Sequence, residues 1–185
     1  MKTDITRVMV EEHRLILRMI ALVEANTQLL AEGRFDDYRF YLDAVDFIRN
    51  YADRFHHAKE EDTLFSALIA NGMPEKSSPI EAMLIEHDQG RAFVKALEAA
   101  ARLALAGATD QTEVIVANAR GYAELLRGHI QKEDEILYPL AERVLPEEVR
   151  PAMLRAYRQA TRAVASDFTR HYELMVEKYE SQLAA

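Results

Sequence analysis

Two stretches of the chain repeat each other around a histidine and a glutamate four residues apart. His56-His57-Ala58-Lys59-Glu60-Glu61-Asp62-Thr63-Leu64-Phe65 precedes His129-Ile130-Gln131-Lys132-Glu133-Asp134-Glu135-Ile136-Leu137-Tyr138 by 73 positions. They match at His, Lys, Glu and Leu, with Phe65 opposite Tyr138. Residues i and i+4 share a face of a helix, so each stretch sets an imidazole beside a carboxylate. Glu12-His13 recurs as Glu86-His87 at an offset of 74. The first half of the chain thus echoes the second, and a pseudo-twofold arrangement with equivalent histidines facing each other is predicted.

Glycine and proline are scarce (6 and 5 in 185 residues) while Ala, Leu, Glu and Arg abound, which favours an all-α protein. Helix one is expected from Asp4 or Thr6 to just before Gly33, with Ile5, Met9, Ile16, Met19, Ile20 and Val23 on its apolar stripe and His13 among them. Helix two runs from about Phe35 to Ala70 and is closed by Asn71-Gly72. Ser78-Pro79-Ile80-Glu81 is the strongest helix start in the chain, and helix three continues to about Ala106. Asp110-Gln111-Thr112-Glu113 offers a second capping-box start for helix four, which reaches the Pro139 region, where a kink is expected, and ends at Leu145-Pro146. Short connections make the four helices antiparallel neighbours in an up-down bundle. The expected organisation is a bundle over residues 1–145 with a C-terminal helical extension over 146–185. The extension carries Phe168, His171, Leu174, Met175 and Tyr179 on one side. It is expected to pack on the bundle or on a partner, a homodimer through these helices being one arrangement.

Helix geometry places the histidines. At about 1.5 Å per residue, His13 and His56 lie roughly 27 and 31 Å from the connection joining their helices, and His87 and His129 roughly 28 and 27 Å from theirs. All four fall at one level to within a turn. Each sits on a core-facing stripe, where a neutral imidazole needs a partner. A buried glutamate is costly unless paired, and a metal cation is the simplest common partner. In helix two, either His56 with Glu60 or His57 with Glu61 has the right spacing. Stepping back from His56 meets Ala52, Ile48, Val45 and Tyr41, whereas stepping back from His57 meets Asp53, Arg49 and Asp46. His56 and Glu60 are therefore the preferred pair, with His57 and Glu61 as the alternative register. His57 is left as an outer group, a fifth imidazole or a surface residue. The metal ligands expected are His13, His56, Glu60, His87, His129 and Glu133.

Imidazole and carboxylate suit iron, manganese or zinc, and the ligand set alone does not choose. With no cysteine in the chain, disulfides, thiolate zinc sites and cysteine-held clusters are excluded. The net charge of −8 argues against nucleic acid, and no stretch approaches the roughly 20 uncharged residues of a membrane span. The charged start, Met1-Lys2-Thr3-Asp4, is unlike a signal peptide, so a cytoplasmic protein is expected. Glu61-Asp62 and Asp134-Glu135 read as solvated acids beside the site. Tyr51, Tyr122 and Tyr138 read as core tyrosines or as donors near it. Gly90, Gly121 and Gly128 mark close packing or a gas path.

With these residues the chain resembles the hemerythrin-like, or HHE cation-binding, family. The matching elements are Glu12-His13, His56 and Glu60 in His-His-x-Lys-Glu-Glu-Asp, Glu86-His87, and His129 with Glu133 before Ile-Leu-Tyr-Pro, over roughly residues 4 to 145. The resemblance implies a non-haem di-iron centre bridged by Glu60, Glu133 and an oxo or hydroxo group, Fe-O-Fe or hydroxo-bridged, with manganese or zinc as alternatives. It also implies small partners: O2, NO or peroxide. Oxygen-carrying members use five histidines, and helix four here supplies only His129, with His57 and His171 as the spare imidazoles. An open position on one iron would favour reaction or sensing over reversible carriage. Binding or sensing of O2 or NO is the expected function. Turnover of peroxide or NO, and iron storage or delivery, are the alternatives.

Overall fold

A computed structural model describes residues 3–184; Met1 and Lys2, part of the leader reading above, lie outside the described residues. The described residues are mostly helical and contain no strand. We number six helices. α1 is Arg7–Ala31; α2 is a continuous rod over 38–70; α3 is Pro79–Leu105; α4 is a rod over 112–144; α5 is Arg150–Arg162 and α6 is Phe168–Leu183. The first four form the expected bundle, α1 packing against α2 and α4, and α3 against the same two. Among the described residues no helix is long and apolar enough to cross a membrane.

The helix ends follow local chemistry. Gly33 and Gly107, 74 positions apart, close α1 and α3 at φ 68° and 96°. In each case the glycine N–H and the next N–H return to carbonyls of the last turn, Leu30 and Leu29 in α1, Ala104 and Leu103 in α3. Ser78 caps α3 through Glu81 N–H, while the Glu81 carboxylate takes Ser77 N–H at 2.6 Å. α2 starts at Tyr38 rather than Phe35, because the Asp37 carboxylate accepts from Arg39 N–H and fixes the start there. The Asp110 capping box does not form. The Asp110 carboxylate takes the Gln111 side-chain amide instead, and α4 begins at Thr112 without a side-chain cap.

Both rods carrying the repeated His–Glu stretches widen into π-helix at the repeat. In α2 the π turns are Ile48–His57 and Glu60–Phe65; in α4 they are Glu133–Leu137. In α4 this widening precedes Pro139, whose ring would press on the carbonyl four residues back in a tight α turn. The helix therefore passes the proline and runs on to Val144. π turns inside α-helices concentrate at functional sites.

The apolar core is divided in two. One cluster holds Ile16, Met19, Ile20, Tyr41, Tyr51, Val94, Leu97 and Leu126; the other holds Ile5, Met9, Leu64, Phe65, Met83, Leu137 and Tyr138. α6 adds Tyr172, Val176 and Tyr179 to the first, and α5 adds Met153 and Tyr157 to the second. The inward face of α6 keeps Phe168, Met175 and Tyr179 of the stripe read in the sequence, but His171 and Leu174 point out while Tyr172 and Val176 point in. Tyr hydroxyls decide it, since Tyr172 and Tyr179 donate to Asp46 and Asp43 of α2.

α5 is anchored by Arg150, whose side chain is completely buried. Its guanidinium donates to the carbonyls of Thr3, Glu142 and Leu145 and pairs with the Glu142 carboxylate. It thereby ties the N-terminal segment, the end of α4 and α5 together. Arg150→Met leaves these acceptors unpaired and is expected to cost about 2–4 kcal/mol. Urea denaturation compared with wild type measures it.

Candidate metal centre

The gap between the two apolar clusters is filled by the predicted residues. His13, His56, His87 and His129 are each at most 2% exposed, and Glu60 and Glu133 are fully buried. His13 Nε2 lies 2.9 Å from His56 Nε2, and His87 Nε2 lies 3.1 Å from His129 Nε2. The two glutamates stand between these imidazole pairs. One Glu133 oxygen is 3.0 Å from His129 Nε2 and the other 3.3 Å from His13 Nε2. Glu60 Oε2 lies 3.6 Å from His87 Nε2 and 3.9 Å from His56 Nε2.

What fixes this arrangement is an outer ring of carboxylates. His13 Nδ1 bonds Asp134 at 2.9 Å, His56 Nδ1 bonds Glu12 at 2.9 Å, His87 Nδ1 bonds Glu61 at 2.7 Å and His129 Nδ1 bonds Glu86 at 2.9 Å. A carboxylate accepts, so each imidazole spends its N–H outward and turns the Nε2 lone pair inward. Lys59 and Lys132, each three residues after a histidine of the repeat, pair with Glu12 and Glu86. Lys59 is itself buried over the Phe55 ring, 3.2 Å from its centroid. Glu61 and Asp134 are therefore not merely solvated acids flanking the site. They orient His87 and His13, while their neighbours Asp62 and Glu135 do face solvent.

Lone pairs then face lone pairs. Both oxygens of Glu133 and Oε2 of Glu60 have no hydrogen-bond donor. Acceptors packed this way repel one another unless a cation lies among them. Two nitrogens held near right angles about 2.1 Å from one ion lie about 3 Å apart, which matches both imidazole pairs. Without a cation, protons would gather here instead. Burial lowers His13, but Asp134 and Glu133 outweigh it and raise it to about 9. Burial and the facing Glu133 hold the Glu60 carboxyl well above the usual range. The donor set fits metal.

The two halves differ at three places. Tyr138 stacks on His13 with centroids 5.6 Å apart and donates to Glu60 Oε1; its counterpart Phe65 stacks on His87 and has no hydroxyl. His57 is buried and lies flat on His87, with centroids 3.8 Å apart at 10°; its counterpart in α4 is Ile130. Arg91 bonds both Asp53 and Glu61, and Asp53 lies 3.5 Å from His57 Nδ1. Ligand atoms within 4.8 Å of one another form two groups, His13, His56, Glu60 and Glu133, and His57, Glu60, His87 and His129. Both registers weighed for α2 thus enter the centre in part: His56, His57 and Glu60 point in, and Glu61 acts from outside. His171 is exposed on α6 and belongs to neither group.

Four helices carrying four inward imidazoles and two shared carboxylates define a cation-binding bundle. The family model described as the hemerythrin HHE cation binding domain matches residues 4–141, and the chain belongs to that family. Neither a curated protein nor a solved structure gives a significant match.

If the outer carboxylates aim the lone pairs, Glu12→Gln lowers metal affinity by about 10–100-fold. The exposed neighbouring change Glu11→Gln leaves it unaltered. Competition with a chromophoric chelator measures both.

Proposed function

We propose that the chain holds two iron ions and binds or senses O2 or NO at them. His13 and His56 would hold one ion and His87 and His129 the other, with Glu60 and Glu133 as the carboxylates available to both. The observation that carries this reading is the pair of donor groups sharing Glu60, with both Glu133 oxygens and Glu60 Oε2 lacking a hydrogen-bond donor. Imidazole and carboxylate also accommodate manganese or zinc, and the family assignment favours iron. Such a pair supplies electrons to small ligands when bound. The protein's own part is to aim the donors, to keep bulk water away through the two apolar clusters, and to hold a proton on Tyr138 where it donates to Glu60. Burial raises the Tyr138 hydroxyl well above the ordinary tyrosine range, so it stays a donor at neutral pH.

Turnover of peroxide or NO is the second reading, favoured by a cavity that reaches His87 and His129. Steady-state consumption by the iron-loaded protein separates it from binding alone. Storage or delivery is less compatible with ligands sealed inside the bundle, because transfer needs a metal that exchanges. A homodimer through α6 would use Leu174 and Leu183, which are 50% and 41% exposed.

Protein reconstituted with ferrous iron is expected to carry two irons per chain and to change its visible spectrum with O2 or NO. A spectrum indifferent to both gases would defeat the gas-binding reading. His56→Ala is expected to lose most of the iron, whereas His57→Ala largely retains it; elemental analysis of the purified variants decides between the registers.

A further inference from the structure

α5 lies beyond the residues that the family model matches, and it concentrates positive charge on a chain whose net charge is −8. Between Glu148 and Asp167 there are four arginines and no acid. Arg150 is buried in the anchor described above, whereas Arg155, Arg158 and Arg162 are exposed. Their spacing of i, i+3 and i+7 puts them on one side of the helix. Elsewhere arginines on the surface are matched with acids: Arg7 with Glu11, Arg127 with Glu24, Arg170 with Glu173. Among the described residues the three on α5 have no ion pair.

A groove of about 240 Å³ runs beside this stripe, between α5 and Val8 of α1. Val8, Leu154 and Tyr157 supply its apolar part, and Arg158, Thr161 and Arg162 its polar part. Two of the polar groups are engaged elsewhere. Thr161 Oγ1 donates to the Tyr157 carbonyl at 3.1 Å. The Tyr157 hydroxyl is buried, and the carboxylates of Glu60, Glu142 and Glu12 act on it from within the bundle. Arg158 and Arg162 therefore keep unspent guanidinium donors at the groove. Held one turn apart, their like charges repel, and an anion between them relieves the repulsion. The planar fork of each guanidinium matches a carboxylate.

We propose that this groove binds an amphipathic monocarboxylate, with its apolar body on Val8, Leu154 and Tyr157 and its carboxylate on Arg158 and Arg162. Charge complementarity selects the head, since unpaired arginines on an otherwise acidic surface attract an anion. The apolar wall selects a tail, so a small inorganic anion satisfies only half of the site. A discrete molecule enters a groove, whereas the flat surface of a membrane does not. α5 packs on the π turn Glu60–Phe65, and none of the residues lining this groove lines the cavity beside His87. Binding here is independent of the metal.

Isothermal titration of the purified protein with octanoate, octanol and acetate tests this. Octanoate is expected to bind at least about tenfold more tightly than the other two, because each of them supplies one half of the recognition. The double change Arg158→Gln with Arg162→Gln alters exposed side chains only, and it lowers octanoate affinity about tenfold or more while leaving octanol unchanged. Arg155→Gln, on the same face but outside the groove, stays within about twofold of wild type. Octanoate that binds no better than octanol, or a loss in Arg155→Gln equal to that of the double variant, would overturn the site. A hexaglutamate peptide that binds as tightly as octanoate would also overturn it and assign the face to an acidic protein segment.

Discussion

The four bonds from imidazole Nδ1 to Asp134, Glu12, Glu61 and Glu86 are what the centre depends on. A neutral histidine has one proton to place, and placing it outward fixes both the tautomer and the direction of the remaining lone pair. Each of these bonds crosses between helices. Glu12 of α1 holds a histidine of α2, Asp134 of α4 holds a histidine of α1, and the other half repeats the exchange with Glu61 and Glu86. The same contacts that aim the donors therefore staple the bundle at the one level where apolar packing is interrupted. Lys59 and Lys132 complete the ring by offsetting the charge of Glu12 and Glu86, which would otherwise be poorly solvated so close to Glu60 and Glu133.

The internal repeat explains why the centre has this symmetry, and departures from it show where the halves are specialised. Glu12, His13, His56, Lys59, Glu60 and Glu61 recur as Glu86, His87, His129, Lys132, Glu133 and Asp134, each in the same role. Tyr138 against Phe65, His57 against Ile130, and Gly90 against Ile16 break the pattern. The first places a hydroxyl on Glu60 from the His13 side. The other two fall on the His87 side, where they put an extra imidazole and open space. These three positions make the surroundings of the two imidazole pairs unlike.

The helices, the bundle's core stripes and the six inward His and Glu side chains were legible in the sequence, because helical periodicity and the offsets of 73 and 74 are local or nearly local signals. The family match over residues 4–141 agrees with that reading. His56 and His57 are both buried for a geometric reason. A helix within a bundle has two neighbours, and adjacent residues diverge by about 100° on it. His56 can thus face α1 while His57 faces α3, and both remain buried. The orienting roles of Glu61 and Asp134 were hidden because each directly follows Glu60 or Glu133 and so reads as belonging to the polar face. Their partners come from helices distant in sequence, although the repetition of an acid directly after both Glu60 and Glu133 was a signal available to be read. The π turns of α2 had no marker such as Pro139 in α4.

The division of the core carries a thermodynamic consequence. Met9 and Ile16 belong to different apolar clusters with His13 between them, and Met83 and Val94 do the same around His87. The layer separating the clusters is made of groups that repel or take up protons unless a cation is present. Burying Glu60 and Glu133 costs several kcal/mol per charge before any compensation. A cation that binds the folded arrangement and not the unfolded chain returns that cost as stability. α5 covers one cluster and α6 the other, so the extension adds apolar burial to each side of the polar layer. In this way the bundle tolerates a charged layer across its middle: each half has its own core, and the centre joins them.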